Sequence, residues 1–247
     1  MTRFRITLEY DGTDLIGWQE NRQGPSVQSV LRDAIYAFCG VRPDVVAAGR
    51  TDAGVHAIAM VAHFDLPGDY TANTVMRAVN FYLVGRPVAI LSCDIVPDDF
   101  NARFDCVARH YKYIVLNRSA APVLNKNRVW WVPRALDVAA MRNAATRLVG
   151  HHDFTSFRAT QCQAKSPIKT LDVCDIMADG DNIIFEFSAR SFLHHQVRNM
   201  VGTLVEIGLG KPYDIDEIFA ARARSAAGPT APASGLYFIS ADYATDD

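Results

Sequence analysis

The order in which two hydrophobic periods alternate along the first 96 residues constrains the fold most strongly. Residues 3–10 alternate, with Phe4, Ile6, Leu8 and Tyr10 on one face, the period of a half-buried strand. The next apolar set has the helical period: Val27, Val30, Leu31, Ala34, Ile35 and Phe38 share one face. Ser26 stands where an N-cap is wanted, and Cys39-Gly40 closes the helix. Strands are expected at 45–48 and 58–64, on either side of a polar stretch. Thr71 opens a second helix carrying Val75, Met76, Val79 and Leu83, and residues 88–95 read as a further strand. The order β-α-β-β-α-β predicts an α+β fold, an antiparallel sheet with helices on one face, as in ferredoxin-like and RNA-recognition-motif domains.

A boundary is expected near Pro97-Asp98-Asp99, giving an N-terminal half over 1–105 and a C-terminal half over 106–247. In the second half, residues 109–116 form a strand with Tyr111, Tyr113 and Val115 on one face. Asp137 caps a helix bearing Val138, Met141, Ala145, Leu148 and Val149, with Gly150 as its C′ residue. Residues 170–177 and 183–190 predict a hairpin through Asp179-Gly180-Asp181. A helix over 194–208 points Val197, Met200, Val201, Leu204 and Val205 inward. A short helix at 215–222 and a strand at 236–243 complete a second β-α-β-β-α-β order. Two ferredoxin-like halves of this kind are expected to join their mostly antiparallel sheets and leave a cleft between them.

Composition narrows the function. Of 247 residues, 49% are hydrophobic and 21% charged, the balance of a globular protein. No apolar run reaches the ~18 residues of a membrane span. The N-terminus lacks the apolar core of a signal peptide, so a cytoplasmic protein is expected. Five cysteines, an odd number without CxxC spacing, argue against a disulfide framework or a zinc site. Net charge is −2, yet residues 101–134 hold seven Lys or Arg (Arg103, Arg109, Lys112, Arg118, Lys126, Arg128, Arg134) against the single acid Asp105. That excess suits either a phosphate-facing strip or a solvated strand face.

The polar stretch between the expected strands reads Gly49-Arg50-Thr51-Asp52-Ala53-Gly54-Val55-His56-Ala57. A plain turn needs Gly and Asp, with Thr51 or Asp52 bonding its own backbone. It does not need a cation, a hydroxyl, a carboxylate and an imidazole together. Loops held between rigid strands are where chemistry concentrates. Taken alone, His56 reads as a structural hydrogen-bonder, Tyr111 as strand packing, and Arg198 as a bridge between helices.

This string resembles the active-site loop of the tRNA pseudouridine synthase A (TruA) family. The resemblance continues through Tyr10-Asp11-Gly12, Gly17-Trp18-Gln19, Ala108-Arg109-His110-Tyr111-Lys112-Tyr113, Phe154-Thr155-Ser156-Phe157-Arg158, Lys165-Ser166-Pro167, Phe192 to Gly202, and Gly235-Leu236-Tyr237. It implies Asp52 as the catalytic nucleophile, Tyr111 against the target base, and Arg198 paired with the catalytic carboxylate. Arg50, beside the nucleophile, would fill the gap left by the flipped base or hold a phosphate. The chain departs from the family pattern at Ala59-Met60, which lies on the strand after the loop, and at Ala233-Ser234, which bears on the shape of a rim.

The implied reaction isomerises uridine to pseudouridine in the anticodon arm of tRNA, at positions 38, 39 and 40, by a homodimer without cofactor or metal. It needs an ionised carboxylate, and an arginine at hydrogen-bond range lowers a carboxylate pKa by about 1–3 units. A base drawn out of its stack costs a few kcal/mol, and stacking on an aromatic ring recovers about 1–3 kcal/mol. A nucleosidase using Asp52 is the first competing reading, but glycoside hydrolysis wants two carboxylates, and nothing assigns Glu9, Asp11 or Asp14 an acid role. A non-catalytic RNA-binding module is the second, and the aromatic string of RNA-recognition motifs is absent.

Overall fold

The computed structural model describes residues 1–244. The chain forms two compact units: Met1–Arg109 together with the described residues from Tyr237 on, and His110–Leu236. Its strands and α-helices run β1 (Thr2–Tyr10), α1 (Val27–Cys39), β2 (Val46–Ala47), β3 (His56–Leu66), α2 (Ala72–Leu83), β4 (Val88–Val96), β5 (Cys106–Leu116), β6 (Trp130–Trp131), α3 (Val138–Thr146), β7 (Gly150–Asp153), β8 (Ile168–Leu171), β9 (Val173–Asp179), β10 (Asn182–Ala189), α4 (Gln196–Gly208), α5 (Ile215–Ala221) and β11 (Leu236–Tyr243). The α+β class and the mostly antiparallel pairing are those expected from the periodicities. No helix among the described residues is long and apolar enough to cross a membrane.

In the first unit the strand order is β4-β1-β3-β11. β1 pairs antiparallel with β3 and β4, while β11 runs parallel to β3 through Tyr237↔His56 and Phe238↔Ala57. Phe4, Ile6 and Leu8 are fully buried, as the alternation of β1 requires. The ring of Phe4 stacks on that of its cross-strand partner Phe64, centroids 5.9 Å apart. Ser26 caps α1 through a capping box with Ser29, and Gly40 ends the helix in the left-handed region at φ 73°. α1 buries Val27, Val30, Leu31, Ala34 and Ile35, and packs against α2, which contributes Val75, Val79 and Leu83. Each fully buried side chain of this size contributes about 1.5–3 kcal/mol.

One irregularity matters for function. Leu8 pairs with Met60, but Tyr10 pairs with Ala57, so β3 carries one extra residue there. A bulge of this kind bends its strand and re-aims the residues beside it. Here those residues are the start of β3, directly after the 49–55 loop.

In the second unit the strand order is β5-β10-β9, and β6 pairs parallel with β5. β9 and β10 form the expected hairpin, turning at Gly180, whose φ is 57°. β7 and β8 form a separate antiparallel ribbon that the apolar periodicity does not signal. Gly150 does not cap α3; at φ 118° it opens β7, and α3 has already ended at Thr146. Helix α4 begins after His195, which sits at φ 62°, and buries Val197, Met200, Val201, Leu204 and Val205 together with the polar Gln196, Asn199 and Thr203.

Candidate active site

The loop joining β2 to β3 is held on both sides by the segment that follows β1. Thr51 is buried, and its Oγ1 shares a 2.8 Å hydrogen bond with the hydroxyl of Tyr10. The Thr51 carbonyl accepts from Trp18 N at 3.0 Å, and Gly54 N donates to the carbonyl of Leu15 at 3.2 Å. Asp52 opens a turn closed by Val55 N on its carbonyl at 3.2 Å, with Gly54 third in the turn at φ 80°. Glycine is favoured there because an L side chain at that φ is strained.

Two further glycines permit this contact. A Cβ on Gly12 would lie 2.1 Å from the carbonyl oxygen of Val55, and one on Gly17 would lie 2.5 Å from that of Thr51. Both contacts are far inside van der Waals range and are to backbone. The motif glycines of 10–12 and 17–19 are therefore the surface on which the Asp52 loop rests. Asp52 itself is half-buried and Arg50 is exposed.

His56 is buried below this loop. Its Nδ1 accepts from Gly12 N at 3.1 Å and its ring stacks on Tyr237, centroids 4.8 Å apart. Asp11 Oδ1 also lies 3.1 Å from Nδ1, and it accepts from Thr13 N and Oγ1. Arg109 fits neither a phosphate-facing strip nor a solvated strand face. It is 8% exposed, its Nε donates to the Ala48 carbonyl at 2.8 Å, and its Nη2 donates to the Arg103 carbonyl at 2.7 Å. It ties down the strand entering the loop, a role that local sequence does not signal.

In the second unit, Tyr111 is half-buried on β5, and its ring meets Phe192 edge-on, centroids 5.1 Å apart at 83°. Tyr113 is core: fully buried, edge-on to Trp130 and Phe185, its hydroxyl donating to the Pro232 carbonyl at 2.7 Å. Burial pushes that phenol well above its ordinary range, so it stays a neutral donor. A Cβ on Gly235 would be 2.6 Å from the Tyr113 ring, which explains a glycine there. Arg198 is half-buried in the first turn of α4, and its Nε donates to the Ala231 carbonyl at 2.8 Å. Near that end of α4 is a cavity of about 310 Å³ lined by Ala159, Thr160, Gln161, His194, His195, Arg224 and Thr230.

A family model described as tRNA pseudouridine synthase matches residues 144–244. Curated relatives extend the likeness over the whole chain. The chain is 53% identical to tRNA pseudouridine synthase A of Paramagnetospirillum magneticum, over 98% of this chain and 96% of that one. Identity to the enzyme of the same name is 54% for Rhodospirillum centenum and 52% for Rhodopseudomonas palustris, each over 98% of this chain and 100% of the other. Identity at this level over full length leaves one assignment: the chain belongs to the tRNA pseudouridine synthase A family.

Proposed function

We propose that this protein isomerises uridine to pseudouridine in the anticodon arm of tRNA, at positions 38, 39 and 40, with Asp52 as nucleophile and without a cofactor. The observation that carries the reading is the 53% identity over nearly all of both chains to a tRNA pseudouridine synthase A. Membership of that family makes the protein an isomerase acting on tRNA uridine. The residue roles rest on the motifs and on the geometry of each unit taken separately.

The reaction breaks the N1–C1′ bond of uridine, turns the uracil and forms C5–C1′; the proton lost from C5 is balanced by one gained at N1. The Asp52 carboxylate supplies the electron pair that attacks the nucleoside or assists departure of the base. Its loop, seated against Gly12 and Gly17 and anchored through Thr51, keeps that carboxylate from wandering. Tyr111 offers a ring face to the base drawn out of the RNA stack, worth about 1–3 kcal/mol against an unstacking cost of a few kcal/mol. By the family motif, Arg198 is the cation assigned to the catalytic carboxylate, and Arg50, exposed beside Asp52, fills the place of the flipped base or holds a phosphate. We assign the protein to the cytoplasm and to a homodimer on the same family basis.

The test is to incubate the protein with unmodified tRNA transcripts and map pseudouridine. Isomerisation at positions 38–40, with RNA length unchanged and no free base, is the expected result. Free uracil would make the protein a hydrolase instead, and pseudouridine elsewhere would overturn the anticodon-arm assignment.

A further inference from the structure

Arg224 holds a position that the reaction as described does not use. Its four terminal N–H groups are all engaged. Nη1 donates to the carbonyls of Ala227 at 3.3 Å and Gly228 at 2.8 Å, and Nη2 donates to Asn199 Oδ1 at 3.0 Å and Thr230 Oγ1 at 3.1 Å. No carboxylate is among these partners. Burial accordingly pulls its pKa below the ordinary arginine range. Placing an unbalanced guanidinium among neutral acceptors is unfavourable, and such a network is best accounted for by the single geometry it enforces.

That geometry is the path of residues 227–231 across helix α4. Asn199, fully buried on α4, accepts from Thr230 Oγ1 at 2.7 Å and donates to the Phe157 carbonyl at 2.7 Å. Gly228 N donates to Thr203 Oγ1 at 2.9 Å, one turn further along the helix. Backbones touch at two glycines: a Cβ on Gly202 would lie 1.7 Å from the Pro229 carbonyl oxygen, and one on Gly228 2.7 Å from Thr203 Cα. The path ends at Ala231, which exchanges two hydrogen bonds with Arg198. Ala231 N donates to the Arg198 carbonyl at 3.1 Å, and Arg198 Nε donates to the Ala231 carbonyl at 2.8 Å. A hydrogen bond from Nε to a carbonyl restricts how the guanidinium plane can turn.

We propose that Arg224 is a positioning residue for the isomerisation: it clamps residues 227–231 onto α4, and the Ala231 carbonyl so placed sets the plane of the Arg198 guanidinium. This rests on the assignment of Arg198 to the reaction made above. Arg224 does not itself touch substrate. A lysine at 224 keeps the charge and loses the fork that spans Ala227, Gly228, Asn199 and Thr230.

The experiment measures single-turnover rate at saturating tRNA and tRNA affinity for Arg224→Lys, Arg198→Lys, Arg198→Ala and the double variant Arg224→Lys/Arg198→Lys, with enzyme in excess so that slow rates are read. Misplacing a catalytic group by about 1 Å costs up to about 100-fold, so Arg224→Lys is expected to lower the rate about 10- to 100-fold with tRNA affinity within a few fold. Lysine at 198 has no planar group to orient, so the double variant should be no slower than Arg198→Lys alone. Rate losses that multiply, or Arg198→Lys at the wild-type rate, would overturn the clamp. Arg198→Ala at the wild-type rate would instead remove Arg198 from the reaction, a separate failure. Should Arg224→Lys not fold, Thr230→Val deletes two links of the same network, the bond from Arg224 Nη2 and the bond to Asn199 Oδ1. It is expected to give a smaller loss that likewise vanishes on the Arg198→Lys background, and a loss that persists there would refute the proposal.

Discussion

Consider Gly17→Ala, a single methyl group placed behind the Asp52 loop. Gly17 has φ +100°, and its Cβ would stand 2.5 Å from the Thr51 carbonyl oxygen and 3.0 Å from the Asp52 carbonyl carbon. Strain of this kind in a non-glycine residue costs about 1–3 kcal/mol. The clash adds to it, because both contacts are to backbone and no side chain can swing away. Carbon and oxygen tolerate about 3.0 Å at the least, so the loop must retreat by about half an ångström. The bond from Trp18 N to that same Thr51 carbonyl lengthens with it. A displacement of 1 Å costs up to about 100-fold in rate, so half of it is worth about 10-fold. Stability falls by about 2 kcal/mol, which for a chain of this size lowers Tm by about 4–8 °C. Single-turnover kinetics at saturating tRNA, binding by filter retention and a thermal melt measure the three quantities. The rate should drop about 10-fold, affinity should stay within a few fold, and Tm should fall. A variant with wild-type rate and wild-type Tm would show that the 11–18 segment does not set the loop.

Three other outcomes follow from the same geometry. His56→Asn puts an amide oxygen near the position of Nδ1, where it still accepts from Gly12 N, whereas His56→Ala leaves that donor buried without an acceptor. The alanine variant should lose about 1–3 kcal/mol of stability and much of its rate and the asparagine variant less of both; equal behaviour would exclude the hydrogen bond as the reason for the histidine. Tyr111→Phe keeps the stacking face and Tyr111→Ala removes it, so the alanine variant should be the slower in single turnover. Equal, wild-type rates for both would leave Tyr111 a packing residue against Phe192. In the basic strip, exposed Lys126 and Arg128 should each lower the log–log salt slope of tRNA binding by about 0.7–0.9 when changed to Ala, if each meets one phosphate. Arg118, which pairs with Asp181 at 3.2 Å, should lower the slope by no more than that, and unchanged slopes in all three would place the RNA elsewhere.

Legibility in the sequence followed the physics of each element. β1, α1, α2 and the β9–β10 hairpin were readable because one apolar face and a cap or turn residue marked each of them. β7 was not, since Gly150-His151-His152-Asp153 has no apolar alternation and is held by pairing with β8. β6 is two residues long, too short for any period. Gly150 was misplaced because left-handed glycine serves a strand start as readily as a helix end. At the site, the Asp52 loop was legible as a dense polar string between glycines. Arg109 was counted in the basic strip because a buried arginine whose donors meet distant carbonyls looks, in sequence, like any surface cation. Arg224 gave no signal at all, because its partners at 199 and 227–230 are joined only by folding.

The proposed isomerisation stands or falls with the Asp52 carboxylate. Asp52→Asn keeps the size and removes the charge, so the comparison isolates the nucleophile. The direct measurement is pseudouridine formed in an unmodified tRNA transcript by excess Asp52→Asn protein, purified from a host lacking the wild-type enzyme, with tRNA affinity taken on the same preparation. The expected result is no pseudouridine and an affinity within a few fold of wild type. Pseudouridine formed at an appreciable fraction of the wild-type rate would contradict it.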